Sequence, residues 1–409
     1  MKKTAYLILL LAIAALPLAA GNSIFAYDGY PVQYFGKDIY SLGMGDTGAS
    51  DVFRNNTGYS NPAQSNLSNR SLFSTGLLMG YNAYRSQDGA GKKYSYVDNS
   101  LDLPYFSLSI PLKKHRIGFQ VNSYASGVVD NQRDMESEDG IQYLEKQSMD
   151  RYLYRADLIY SLLLGNNSIG ISGNYYFGHE TRLLIQEGGY EPFNTREEVS
   201  RDFKNPGLTI GYLHRFAKLA LGAHFSPACT LKGDSTRTSI HETETSGDYE
   251  YELPHRACAS VTALPFPEVK VAADFHYEAW DALDKDKYDD SWKLGVGVAY
   301  EPMADKHEKF FSKLPLRAGA AYRMLPFAVN GKSVDEISAS LGLTLPLKSE
   351  ANRIDIGFQY VNRGSLADNR LTDNSYLMMF GFTGFDIFSK SADRSAPREI
   401  PEKEDINSW

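Results

Sequence analysis

Residues 269–278 read VKVAADFHYE, and apolar side chains alternate there with polar ones. Residues 353–360, RIDIGFQY, repeat this pattern. A period of two places successive residues on opposite faces of a β-strand. One face of each stretch is apolar and ends in an aromatic residue, while the other face carries charges. Soluble β-sandwiches show similar alternation, so the class of β-protein depends on the rest of the chain.

The start of the chain indicates export. Two lysines precede the apolar residues 5–20, and candidate cleavage sites lie near Ala20 and near Ala26. This order is typical of a signal peptide, assigned here to residues 1–26. The alternative, a membrane anchor, needs a longer apolar stretch. No later segment holds about 18 consecutive apolar residues, so we expect no membrane-spanning helix.

Composition narrows the function further. The formal net charge is −8, and removing the two lysines of the signal segment leaves −8 − 2 = −10. Such a charge disfavours nucleic acid as a partner. The 28 Tyr and 21 Phe against 3 Trp suit a strand-rich protein with aromatic girdles at a lipid interface. We therefore expect outer-membrane lipid to be one partner.

Strand patterning then predicts the fold: an all-β, 14-stranded antiparallel transmembrane β-barrel over residues 71–388. Many of the predicted strands reach the length that a tilted membrane-spanning strand needs. Short turns alternate with long polar connections, as in bacterial outer-membrane barrels. The connections expected to be long are 85–99, 127–148, 182–199, 233–248 and 330–335. The predicted strands are 71–84, 100–111, 115–126, 149–164, 168–181, 200–215, 218–232, 249–263, 268–281, 290–301, 313–325, 336–347, 353–363 and 374–388.

Polar residues on the inner face should line a lumen. Among them are five ionisable residues, Asp274, His276, Glu278, Arg317 and Arg323. Two roles stay open for each of them, a place in a structural salt-bridge network or direct contact with a ligand.

The two cysteines indicate neither a disulfide bond nor a cofactor site. Cys229 is expected to face outward and Cys258 inward, which argues against a disulfide. No Cys/His cluster has the spacing of a metal site, so we predict neither a metal ion nor a cofactor.

Residues 27–70 precede the first strand and are rich in glycine, notably in LGMGDTGAS at 42–50. Glycines permit tight turns and close packing, and Asn61-Pro62 marks a turn. This segment is therefore expected to fold into the barrel mouth as a hatch. The alternative is a flexible periplasmic leader.

LGMGDTGAS followed by Asn-Pro-Ala resembles the FadL/TodX outer-membrane transport proteins and the related PorV-like proteins. The resemblance implies that the hatch lies inside a 14-stranded barrel. Two departures stand out: Gln64-Ser65 replaces the usual Gly-Leu, and a charged tail, 389–409, follows the last strand. The hatch residues implied by the resemblance are Gly43, Met44, Gly45, Gly48, Asn61, Pro62 and Ala63.

The resemblance implies uptake of hydrophobic small molecules, such as long-chain fatty acids or aromatic hydrocarbons, across the bacterial outer membrane. It also implies a lateral opening in the barrel wall, placed here at Ser126 and Gly127. The alternative is a PorV-like partner in protein secretion or surface attachment, with the tail binding a protein partner. Both termini are expected in the periplasm. No Gly-x-Ser-x-Gly motif is present, and we expect no enzyme.

Overall fold

The computed structural model describes residues 23–26, 32–33, 38–58, 60–64, 71–137, 139–188, 194–240, 244–302, 310–347 and 352–385. The expected tail, 389–409, and residues 1–22 of the expected signal segment, 1–26, lie outside these residues. Within them, no helix is long and apolar enough to cross a membrane. The only α-helix of the described part is α1 (Ile39–Leu42), and three 3₁₀ turns span Ile24–Ala26, Pro62–Gln64 and Phe310–Lys313.

The rest is one antiparallel sheet that closes on itself, because the last strand pairs with the first strand of the barrel. The strands are β1 (Val32–Gln33), β2 (Leu72–Gln87), β3 (Lys93–Asp102), β4 (Tyr105–Leu112), β5 (His115–Glu136), β6 (Gln142–Leu164), β7 (Asn167–Glu187), β8 (Thr195–Arg215), β9 (Leu219–Ser226), β10 (Cys229–Ser239), β11 (Thr245–Leu253), β12 (Arg256–Phe266), β13 (Val269–Glu278), β14 (Ser291–Tyr300), β15 (Leu316–Val329), β16 (Lys332–Pro346), β17 (Arg353–Arg363) and β18 (Leu371–Phe385).

The expected number of barrel strands, fourteen, is confirmed. β1 stands apart, and three barrel strands are each built from two segments: β3 with β4, β9 with β10, and β11 with β12. Each interruption contains a proline, namely Pro104, Pro227 or Pro254. Proline cannot donate to the hydrogen-bond ladder, which favours a break at these positions. Pro206 and Pro326 lie within β8 and β15, at points where the pairing with one neighbouring strand is interrupted.

Burial follows the period of two. Along β14 and β13 the exposed residues Val296 (48%) and Val271 (43%) alternate with buried ones. Aromatic rings of neighbouring strands meet on the outer face, as Trp292 does with Tyr322 at 5.2 Å between ring centroids. The barrel therefore carries an apolar outer surface suited to lipid, because unsatisfied polar groups are costly there.

The long polar connections expected from the sequence are largely strand, and that expectation was wrong. β5, β6, β7 and β8 run for 22, 23, 21 and 21 residues. A membrane crossing needs only about 9–11 residues, so these strands extend as ribbons well beyond the bilayer. The extensions carry polar residues on both faces, mixed with apolar ones such as Leu183 and Leu184, and therefore lack an alternating pattern. The expected long loop at 330–335 is a two-residue Asn330-Gly331 turn with φ of +54° and +70°, the geometry that Asn-Gly favours in hairpins.

The expected outward position of Cys229 was also wrong. Cys229 packs against buried residues inside the barrel, on the same face as the fully buried Leu231. The interruption at Pro227 changes the side-chain parity between β9 and β10. Both cysteines are free in the structure, and both face the lumen, so the expected arrangement on opposite faces of the wall does not hold.

Candidate functional site

The first part of the site is an N-terminal segment, residues 38–64, that lies against the inner wall of the barrel. Asp38 caps helix α1 by accepting a hydrogen bond from the Ser41 amide at 2.9 Å. Arg54 pairs with Asp38 at 2.5 Å and with Asp51 at 3.0 Å, and all three side chains are buried. A helix of four residues is not stable alone. The buried ion pairs fix its position instead.

Tyr40 anchors this segment to the wall through a group of cations. Lys270 and Arg317 of the wall lie 4.6 and 4.5 Å from the centre of its ring, and Arg54 of the segment itself lies 4.3 Å from it. The Tyr40 hydroxyl donates to Glu301, and Lys270 pairs with Glu301 at 2.9 Å. Cations on an aromatic face gain roughly 0.5–2 kcal/mol each. Cationic side chains of the wall thus hold the segment by an aromatic ring as well as by carboxylates.

Glycines of the wall form a groove for the backbone of the segment. A Cβ added at Gly319 would lie 2.6 Å from the Gly45 Cα, and one at Gly297 would lie 2.8 Å from the Met44 carbonyl carbon. These distances are too short for any side chain, so the two chains touch backbone to backbone. At the other end of the segment, a Cβ at Gly211 would lie 3.0 Å from the Pro62 ring. The wall and the segment fit only because these positions lack side chains.

The structure places six of the seven residues of the expected hatch motif against the inner wall, and Gly48 packs within the segment beside Ser41 and Asp51. Met44 is 2% exposed, and the Gly45 amide donates to Ser340 Oγ at 2.9 Å. Gly45 and Gly48 have φ of +71° and +117°, which only glycine adopts without strain. The Asn61 side chain donates to the carbonyl oxygens of Tyr212 and Ala223 at 3.2 and 3.3 Å. The remaining members pack beside these: Gly43 lies against Arg317, and Pro62 and Ala63 lie beside Gly170.

The five inner-face ionisable residues divide between contacts with the segment and contacts within the wall. Asp274 accepts from the Ala49 amide at 2.9 Å, and Arg317 lies over Tyr40 while pairing with Asp355 at 3.3 Å. Glu278 lies 3.8 Å from Arg323 and accepts from the Trp280 ring nitrogen at 3.0 Å. The fifth, His276, lies 3.8 Å from Cys258 Sγ. All five are buried in the lumen.

The second part of the site is a break in the barrel wall between β3 and β5. β4 pairs with β5 only over residues 105–112, and Ser123 N donates to Pro104 O beyond that. β3 continues alongside β2 and, among the described residues, forms no ladder with β5. In its place, the short strand β1 pairs with Ala125 and Ser126 of β5. The N-terminal part of the chain therefore occupies the edge that β3 leaves.

β5 itself bends at this break. Its register with β6 shifts between Ser123 and Ala125, which marks a bulge at Tyr124. Residues 122–127 are all buried, whereas the first half of the strand alternates between buried and exposed. A strand buried on both faces has left the lipid-facing surface of the wall. Ser126 and Gly127, the expected lateral opening, lie within this buried stretch.

The third part of the site is an apolar cluster inside the lumen, named here the aromatic cluster. It packs Tyr124 of the bent strand against Tyr176, 5.4 Å away between ring centroids and nearly perpendicular. Arg256 lies 4.7 Å above the Tyr124 ring. An apolar region thus lies directly behind the break. The members of the cluster are Tyr124, Ala125, Leu153, Tyr176, Phe203, Leu231, Tyr251, Leu253, Trp280 and Tyr288.

A polar cleft separates the aromatic cluster from the N-terminal segment. The segment contributes Gly58, Ser60 and Pro62 to its lining. Asp157 forms the polar centre of the cleft and accepts from Asn174 at 2.5 Å and from Arg155 at 2.9 Å. The space between segment and cluster is therefore narrow and hydrogen-bonded.

Sequence patterns did not reveal the roles of Tyr40, Arg54 and Lys270. Arg54 pairs with Asp51, three residues away, and with Asp38, 16 residues away. The second pairing is too distant in sequence for a local pattern to indicate it. Lys270 lies at an inward position of the alternating stretch 269–278. That position was the only sequence signal that this lysine faces the lumen. Strand β1 spans only two residues and shows no pattern at all.

Several solved structures share this architecture. A Pseudomonas aeruginosa FadL homologue is 14% identical, with a TM-score of 0.63 over 88% of this chain and 100% of that one. The P. putida toluene transporter TodX is 17% identical, with a TM-score of 0.61 over 88% and 99%. The Ralstonia pickettii toluene transporter TbuX is 12% identical, with a TM-score of 0.59 over 86% and 98%. A search of the curated proteins found no matching sequence.

Barrel closure, the apolar outer surface and these likenesses define an outer-membrane β-barrel with the FadL-type fold. A family model described as BamG matches residues 2–386. Because the match spans nearly the whole chain, the chain belongs to the BamG family.

Proposed function

We propose that this protein takes up hydrophobic small molecules, such as long-chain fatty acids or aromatic hydrocarbons, across the outer membrane. The observation that carries the proposal is the break between β3 and β5, with the aromatic cluster directly behind it. A lateral exit of this kind releases an apolar solute into the bilayer instead of into water. The N-terminal segment fills the lumen below and acts as a hatch.

In the proposed orientation the short turns face the periplasm, and the last strand ends there. In this orientation Phe25 lies in the outer half of the lumen, because it packs against Leu325 and Val334 near the opposite end of the barrel. The expected periplasmic position of the N-terminus therefore does not hold for residues 23–26. The N-terminal chain then passes the break between β3 and β5, where β1 pairs with β5, and reaches the periplasmic end of the barrel before β2 begins. The proteins TodX and TbuX, which share the fold, are described as toluene transporters.

Binding to the aromatic cluster would follow from burial. An apolar ligand gains about 0.8 kcal/mol per buried methylene, and aromatic rings add specific packing. Exit would require β1 to leave the edge of β5. That pairing spans two residue pairs, Val32 with Ser126 and Gln33 with Ala125. At about 0.5–1.5 kcal/mol for each hydrogen bond, its loss costs only a few kcal/mol, so the strand can act as a gate.

A reversible cross-link tests this exit. Val32 and Ser126 are directly paired across the two strands, a separation that a disulfide spans. Oxidised Val32→Cys/Ser126→Cys protein in liposomes should lose uptake of a labelled fatty acid and of toluene, and reduction should restore it. The matched control is Ala83→Cys/Asn374→Cys, a paired position on β2 and β18 away from the break.

The control should transport equally when oxidised and when reduced. Unchanged transport by the oxidised Val32/Ser126 protein would show that molecules do not leave through this edge. Loss of transport in both cross-linked proteins would point to general rigidification of the barrel and would equally remove the support for the exit.

A second candidate function, a partner role in protein secretion or surface attachment, is favoured by the ribbons of β5 to β8. Their ends beyond the membrane carry ion pairs such as Arg133 with Glu145 at 2.5 Å and Arg237 with Glu197 at 2.9 Å. Uptake alone does not require strands of this length. A stable partner should co-purify after cross-linking in native membranes. Replacing residues 132–146 by a two-residue turn, or deleting the tail 389–409, should release that partner and leave uptake unchanged.

A further inference from the structure

Three potential metal ligands meet on the inner wall although they are far apart in sequence. His224 lies on β9, Cys258 on β12 and His276 on β13. Cys258 is directly paired with His224 on one side and with His276 on the other. The three residues thus form a row across neighbouring strands at one height in the barrel. Cys258 and His276 are 4% and 5% exposed.

The row has the shape that a metal ion requires. Cys258, in the middle of the row, has a short side chain, whereas His224 and His276 on either side have longer ones. The two imidazole rings can therefore converge on the Cys258 thiol. The ligand atoms all lie within 4.8 Å of one another, and Cys258 Sγ is 3.8 Å from His276 Nε2. Tetrahedral zinc with Zn–S near 2.3 Å and Zn–N near 2.05 Å places sulfur and nitrogen about 3.6 Å apart. A small rotation of the His224 ring would complete three ligand positions.

We propose that His224, Cys258 and His276 bind a thiophilic divalent metal ion, Zn²⁺, in the barrel lumen. One thiolate with two imidazoles is a borderline-soft donor set of the kind that zinc prefers. The charged groups nearby are of both signs: Asp274 and Glu278 precede and follow His276 by two residues on the same inward face, while Lys293 is paired with His276 across β14 and Arg256 lies two residues before Cys258. Hard cations such as Ca²⁺ and Mg²⁺ would not select these ligands.

Three protein ligands leave one tetrahedral position for water or for a donor atom of another molecule. Both histidines also line the polar cleft between the N-terminal segment and the aromatic cluster. The open position therefore faces the cleft. A metal here would join three strands of the wall and would place a Lewis acid beside the space through which a ligand passes.

The test uses the full-length mature protein, purified in detergent, stripped with a chelator and titrated with Co²⁺. Tetrahedral Co²⁺ with one thiolate ligand gives a thiolate-to-metal charge-transfer band and strong visible absorption. We expect both to saturate at one equivalent and to disappear when Zn²⁺ is added. Cys258→Ser should abolish the charge-transfer band, and His276→Gln should weaken Co²⁺ binding at least about tenfold.

Cys229→Ser is the matched control, because Cys229 is the other cysteine, also faces the lumen and lies outside the row. It should bind Co²⁺ like the unchanged protein. Folding of each variant is checked by far-ultraviolet circular dichroism and by heat-modifiable migration of the barrel in gels. Zn²⁺ should also raise the thermal midpoint of the unchanged protein and not that of Cys258→Ser, since a ligand of the folded state stabilises it.

The proposal is wrong if folded, stripped protein shows no charge-transfer band. It is also wrong if Cys258→Ser binds Co²⁺ with unchanged affinity and spectrum. In either case the row is a hydrogen-bonded part of the lumen wall. The transport proposal is judged separately by the cross-link at β1, which does not touch these residues.

Discussion

Replacing Gly319 by alanine should force the N-terminal segment off the barrel wall. The new Cβ would lie 2.6 Å from the Gly45 Cα and closer still to the Gly45 amide nitrogen. Two carbon atoms pack best at about 3.5–4.0 Å, so the segment must move by about 1 Å. The neighbouring atoms belong to backbone, and no flexible side chain can give way instead.

The size of the effect follows from what that movement breaks. Overpacking of this kind costs about 1–3 kcal/mol. The hydrogen bond from the Gly45 amide to Ser340 Oγ, now 2.9 Å, would exceed bonding distance and cost about 0.5–1.5 kcal/mol more. We therefore expect Gly319→Ala to lower the free energy of unfolding by about 1.5–4.5 kcal/mol. The ion pair between Lys293 and Asp46 should be displaced as well.

The matched control is Gly173→Ala on β7, where an added Cβ meets no atom within 4 Å. Alanine restricts the unfolded chain more than glycine does, so the control should be neutral or stabilised by about 0.5–1 kcal/mol. The assay is urea unfolding in phosphatidylcholine bilayers, with single-channel conductance measured in parallel. Conductance should rise in Gly319→Ala only, because a displaced segment opens the lumen. Equal stability changes in the two variants would refute the backbone contact between segment and wall.

Three further predictions concern the membrane, the N-terminus and the orientation. Val296→Arg, in the middle of the apolar face, should lower the free energy of unfolding in bilayers by about 2–4 kcal/mol. Leu316→Arg, at a strand end, should lower it by only about 0–1 kcal/mol. Similar losses in the two variants would contradict the assignment of bilayer depth. Phe25 is buried, so N-terminal sequencing should show that the mature chain begins before it, and a later start would exclude its packing against the barrel. Maleimide should label Ser246→Cys on intact cells but not Lys113→Cys, and the reverse would invert the proposed orientation.

The sequence by itself determined the kind of wall that this chain builds. Alternation such as that of residues 269–278 indicates which side chains face lipid. It is a local signal, because successive residues of any strand point to opposite faces. Counting such stretches predicted fourteen strands. Polar ribbon ends carry no alternation, so the outer halves of β5 to β8 looked like loops.

Only the tertiary structure decided what lies inside. Strand register brings Val32 beside Ser126 and aligns His224, Cys258 and His276, and no local pattern encodes these pairings. Register depends on closure of the whole barrel and on interruptions such as that at Pro227, where side-chain parity changes. A row of ligands and a break in the wall are contacts between distant parts of the chain. They arise from the closed sheet, whereas the faces of each strand are already present in the sequence.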